Sequence, residues 1–119
     1  MTATDLFVAS LAADVAFYLR RYLARYDQPS DGLRVTADYI ISSAWPIRVT
    51  SVELTISLPS GLPVGWVQAL HAIATRCPIY QSMSRPPRIA VRVVCGTPHN
   101  GTDDAIRHDA SSRRAAISA

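Results

Sequence analysis

Asp14, a carboxylate inside an apolar stretch, and Cys77, a thiol just before a proline, are the two side chains in this sequence whose types could do chemistry. Asp14 lies inside "SLAADVAFYLRRYL", Ser10 to Leu23, an otherwise apolar stretch. A carboxylate is a weak helix-interior residue and costly to bury without a partner. Its position therefore asks for a role as general base or hydrogen-bond acceptor. At helical four-residue spacing its neighbours are Ser10 and Tyr18, whose hydroxyls could satisfy it, and Arg21 or Arg85 could neutralise it. Cys77 brings a thiol, which as thiolate attacks electrophiles and exchanges disulfides. It stands just before Pro78, at the predicted C-terminus of a helix, where the dipole disfavours an anion. Adjacent Arg76 offsets this only in part. The commoner fate of a free cysteine is that of a small buried hydrophobe.

The remaining candidates are weaker. Cys95 is the second cysteine, and two are too few for a disulfide scaffold or, alone, for a zinc site. His99 and His108 fall in a polar tail, and His71 stands alone on a helix. No metal or other cofactor is expected. The net charge of +3 comes from twelve arginines with no lysine. Arg34, Arg48, Arg76, Arg88 and Arg92 are scattered singly, which reads as a solvated surface and not as a nucleic-acid-binding stripe. No apolar run reaches the ~18–20 residues of a membrane helix, and the N-terminus lacks the basic region of a secretory signal. A cytoplasmic protein with no membrane or nucleic-acid partner is expected.

The elements that must position these residues follow from periodicity. With 119 residues, 49% of them hydrophobic, the chain argues for one folded domain. A helix is predicted over 3–26, started by a capping box of Thr2 and Asp5. Leu6, Phe7, Val8, Leu11, Val15, Phe17, Leu19 and Leu23 cover most of its circumference, the mark of a buried helix. Pro29 and Gly32 end it. Strands are predicted over 33–42 and 47–59 by strict alternation, as an antiparallel hairpin with a bulge near Thr50–Ser51 where the parity changes. A second helix is predicted over 63–76, with Pro63 in its first turn, Val67, Leu70, Ile73, Ala74 and Cys77 on its inner stripe, and Pro78 as its stop. "QSMSRPP" reads as loop and residues 88–95 as a third strand. Residues 96–119 are polar, and a disordered tail is expected there. The order α-β-β-α-β makes an α+β domain over 1–95. A helix apolar all round needs more cover than this, so a partner subunit or a further part of the fold is expected against it.

At "DLFVASLAADVAFYLRRYLARY" and "ATRCPIYQSMSRPP" the sequence resembles the OsmC/Ohr family, the osmotically inducible and organic hydroperoxide resistance proteins. The second stretch is similar to that family's second cysteine segment, a helix ending in Cys-Pro before a short polar loop. The helix–hairpin–helix order between the two stretches fits as well, and the resemblance covers residues 2–95. It implies an α+β fold, an intertwined homodimer, and a long central helix buried within it. It also implies thiol-based reduction of organic hydroperoxides in oxidative-stress defence. In the family one cysteine, in an "A-A-C" stretch of the central helix, attacks the peroxide, and the cysteine of the Cys-Pro segment resolves the sulfenic acid.

Here the attacking position falls on Asp14, so that "AAC" has become "AAD", and the resolving position matches Cys77. The family's N-terminal sheet segment, which helps build the partner interface and supplies an arginine beside the attacking thiolate, has no counterpart in these residues. A carboxylate can neither accept oxygen as sulfur does nor enter a disulfide. The expectation is thus an OsmC-like protein impaired as a peroxidase. It would act as a dimeric binding or structural module whose apolar cleft takes a hydrophobic small molecule, such as an acyl chain or an organic hydroperoxide. The alternative is an active hydroperoxide reductase using Cys77 with an external thiol.

Overall fold

The structure is a computed structural model that describes residues 1–96. Residues Met1–Arg88 form one compact unit. The helix α1 (Ala3–Arg25) opens it. Its start is the expected capping box: the Asp5 amide donates to the Thr2 hydroxyl at 3.1 Å, and the Thr2 amide and hydroxyl both donate to Asp5 Oδ2 at 2.9 Å. At the other end Asp27 takes a left-handed conformation, φ 54°. The Gln28 amide then reaches back to the Leu23 carbonyl at 2.8 Å and the Asp27 amide to that of Ala24 at 3.2 Å. This pair of bonds satisfies carbonyls that a helix end leaves orphaned.

Val8, Leu11, Val15, Leu19 and Leu23 are buried at near-regular spacing along one side of α1. The single chain gives as little cover as expected: Leu6, Phe7 and Phe17 on the outer side are 58%, 49% and 56% exposed. The elements of this unit pack on one stripe, and one stripe is all they can cover.

Strands β1 (Arg34–Ile41) and β2 (Val49–Ser57) pair antiparallel as a two-stranded sheet. Val35, Ala37 and Tyr39 meet Ile56, Leu54 and Val52, and this half-buried row turns toward α1. The opposite face is exposed and sets Asp38 against Glu53, a like-charge pair that costs the sheet some stability. Ile40 pairs with Ser51 and Ile41 with Val49, which leaves Thr50 as the extra residue. The bulge thus lies where the change of parity placed it.

The second half departs from the sequence reading in three places. Helix α2 (Trp66–Ala74) starts after a turn through Pro63, with the Trp66 amide bonded to the Pro63 carbonyl at 3.1 Å, so Pro63 precedes the helix and is not in it. The stretch 81–87 expected as loop is helical as far as Ser84, in a third helix, α3 (Pro78–Ser84), with Cys77 as its N-cap. Proline ends the helix before it because it cannot donate, and for the same reason suits the first position of the next. The predicted strand over 88–95 is absent: residues 86–95 carry no helix or strand. Alternation shows what a strand would bury, but a strand exists only through a ladder partner, and none pairs with these residues among those described. The observed order is α-β-β-α-α. Residues from Ile89 on fall in a second unit, and the tail from 97 lies outside the described residues.

The buried cluster joins Leu11, Val15, Leu19 and Leu23 of α1 to Leu33, Leu70, Ala74 and Cys77. Tyr39 ties the sheet to the start of α1 by donating to Asp5 Oδ1. That bond, followed by those from Thr2, lowers the Asp5 carboxyl below its ordinary value, and the same bond raises the Tyr39 phenol. The lowered acid stabilises the fold above its unfolded value, about pH 3.9, and loses that contribution as the pH falls through the folded value. The raised phenol contributes below about pH 10 and loses this as the pH rises. Tyr39→Phe is expected to flatten both limbs of a melting-temperature profile across pH. Limbs identical to those of the unmodified protein would show that this bond couples nothing.

Candidate functional site

The site is built where α1 meets α3. On α1, Asp14 precedes core residue Val15 and so sits at the edge of the buried stripe, half-buried. Its Oδ2 accepts from the Ile79 amide at 3.2 Å. The partners expected for it do not serve: the Ser10 hydroxyl donates to the Phe7 carbonyl at 2.6 Å, and a backbone amide, not Arg21 or Arg85, meets the carboxylate. One turn of helix α3 supplies both sides of the site. Ile79 gives its amide to Asp14, and the Tyr80 amide points at Cys77 Sγ, 3.4 Å away.

Cys77 itself is 1% exposed. The sequence reading placed it at a helix C-terminus, but it caps the N-terminus of α3, where backbone amides favour an anion. The thiol is nevertheless pushed up from its ordinary value. Burial is the largest cause, and the hydrogen bond and charge of Asp14 add to it. The amides of Tyr80 and Ile79 pull the other way and are outweighed. At neutral pH the buried sulfur is therefore held as a thiol, the form that is neither nucleophile nor metal ligand.

The structure thus brings together Asp14 and Cys77, two residues far apart in the chain. Sequence reasoning misses the Ile79 and Tyr80 amides because it takes Pro78 only as the stop of one helix and not as the start of the next. The signal for them was present, a Cys-Pro step that can cap a helix as well as end one. Cys95 is exposed and its sulfur free, as is that of Cys77. His71 is exposed on α2, and His99 and His108 lie outside the described residues. Among the described residues no three His, Cys, Asp or Glu side chains gather as a metal site would require, and no helix is long and apolar enough to cross a membrane. A thiol-reactive dye is expected to label Cys95 at once and Cys77 only as the fold opens. Equal labelling rates in the native protein would contradict the burial of Cys77.

The model of the OsmC-like protein family matches residues 1–92. No curated protein matches the chain. A crystal structure from Psychrobacter arcticus 273-4, of a protein named for osmotic stress induction and a detoxification response, superposes with a TM-score of 0.63 at 21% identity. The match covers 68% of this chain and 58% of that one. At this identity the likeness is one of fold.

Proposed function

We propose, given that this chain belongs to the OsmC-like protein family, that it is a member whose thiol site does not reduce hydroperoxides and that it acts as a dimeric binding or structural module. One observation carries the reading. Cys77 is buried and its sulfur is held as a thiol, by burial first and by Asp14 second. Peroxide reduction through sulfur starts from a thiolate that the peroxide can reach, and both conditions fail here. Asp14 stands at the position that resembles the family's attacking cysteine, and a carboxylate cannot be oxidised in its place.

The outer side of α1 supports the dimeric part of the reading. Leu6, Phe7 and Phe17 are large apolar side chains left in water, at a cost of about 25 cal/mol per Å² that a partner would recover. A second copy would bury them, and the hydrophobic small molecule belongs to the cleft between subunits that the family resemblance implies.

The test is peroxide loss with cumene hydroperoxide and a dithiol. The expected rate equals that of Cys77→Ser. Turnover that disappears in Cys77→Ser would overturn the reading and favour a single-thiol reductase. Light scattering on a sizing column tests the oligomer: a dimer is expected, and a stable monomer would remove that part of the reading.

A further inference from the structure

We infer that Asp14 is a positioning residue that keeps Cys77 from acting as a nucleophile: its carboxylate, anchored on the backbone of α3, guards the sulfur with a fixed negative charge. This rests on the reading of the chain as a peroxidase-impaired OsmC-like protein and adds to burial a second cause of the impairment within the chain's own residues.

The geometry has three parts. The carboxylate is fixed in place, because Oδ2 accepts the Ile79 amide at 3.2 Å. The sulfur is fixed in the adjoining turn, capping α3 and accepting the Tyr80 amide at 3.4 Å. The two bonded amides are consecutive in one turn of α3, so carboxylate and sulfur adjoin, and the carboxylate acts on the thiol. Beside it the S–H is favoured to keep its proton, since a thiolate would face a like charge. The Ile79 and Tyr80 amides alone would favour the anion; burial first, and the carboxylate of Asp14 after it, outweigh them. The other titratable side chains packed on this cluster are the phenols of Tyr18, Tyr22 and Tyr80. Among the described residues Asp14 is the charge that acts on the sulfur.

Removing that charge lifts one of the two restraints; burial remains, so the first step is taken only when the fold opens to admit the peroxide. The Cys77 thiolate attacks the distal oxygen of an organic hydroperoxide. The S–O bond forms as the O–O bond breaks. The alkoxide leaves and takes up a proton as the alcohol, and sulfur is oxidised to the sulfenic acid while the peroxide is reduced.

The experiment uses the full chain with Cys95→Ser, so that Cys77 is the thiol observed. Asp14→Asn keeps an oxygen acceptor for the Ile79 amide and removes the charge. Asp14→Ser is a second neutral variant in case the first does not fold, and Asp14→Glu restores the charge. Two quantities are read: the ultraviolet absorbance of the thiolate across pH, and the rate at which cumene hydroperoxide gives a dimedone-trapped sulfenic acid, seen by mass. In the neutral variants the thiolate is expected at lower pH, with trapping faster by about tenfold per unit of that displacement, and Asp14→Glu is expected to reverse both. Loosened packing alone would not be reversed by Asp14→Glu. A thiolate titration unchanged in a folded neutral variant overturns the guard and leaves the impairment standing. Cys77-dependent turnover in the unmodified protein would instead overturn the impairment itself.

Discussion

Leu19→Ala is expected to destabilise the protein by about 2–5 kcal/mol, the range for emptying a leucine-sized space in a packed core. Leu19 is 0% exposed and lies mid-stripe on α1, in the cluster to which Leu33, Leu70, Ala74 and Cys77 also belong. Sheet, α2 and α3 all pack on that helix, so no neighbour can move into the space without leaving another. Small domains hold only ~5–15 kcal/mol in total, and each kcal/mol moves the melting temperature of a domain this size by roughly 4–8 °C. A fall of about 10 °C or more is therefore expected in a thermal melt. Phe17→Ala, on the outer side where the ring is 56% exposed, is the contrast. It should leave a monomer's melt nearly unmoved and, where two copies associate through this side, weaken the association instead. Equal effects of the two substitutions would contradict the one-sided packing of α1.

Asp14→Ala is expected to cost about 1–3 kcal/mol, the penalty for leaving a partly buried donor without its acceptor. The donor is the Ile79 amide, in the first turn of α3, where no bond within the helix can replace the one lost. The loss should appear as a lower denaturant midpoint with an unchanged slope. Asp14→Asn keeps an acceptor oxygen and should stay close to the unmodified protein. If Asp14→Ala proves as stable as Asp14→Asn, the carboxylate does not hold α3 to α1. The raised thiol adds a pH dependence of its own. Because the folded value lies above the unfolded one, near pH 8.5, its contribution is complete below that pH and fades as the pH rises through the folded value. Cys77→Ser should remove that alkaline decline.

Much of the first half of the chain was legible from local signals. The capping box of Thr2 and Asp5, the extent of α1 and the alternating hairpin depend on contacts between residues close in sequence, and period alone reveals them. Even the bulge at Thr50 showed as a change of parity. The second half was less legible because its signals have two readings. Pro78 can end one helix or begin the next, and the backbone direction after it decides which. The alternation over 88–95 names a face to bury but cannot supply a neighbouring strand. The apolar breadth of α1 showed that it needs more cover than these elements give, and the single chain does cover one stripe only, leaving Phe17 and its neighbours in water.

The candidate site divides the same way. By itself the sequence determined the residue types: a carboxylate at 14 within an apolar helix, a thiol at 77 before a proline, and a resemblance in which the two positions belong to one reaction. Only the tertiary structure decided that these side chains adjoin, that the thiol caps a helix, that the carboxylate is held by the Ile79 amide, and that burial first and the carboxylate after it raise the thiol. The physical reason is range. Capping and periodicity act over one or two turns of chain, while the field on a buried sulfur is set by whatever the fold packs against it, here a carboxylate more than sixty residues away.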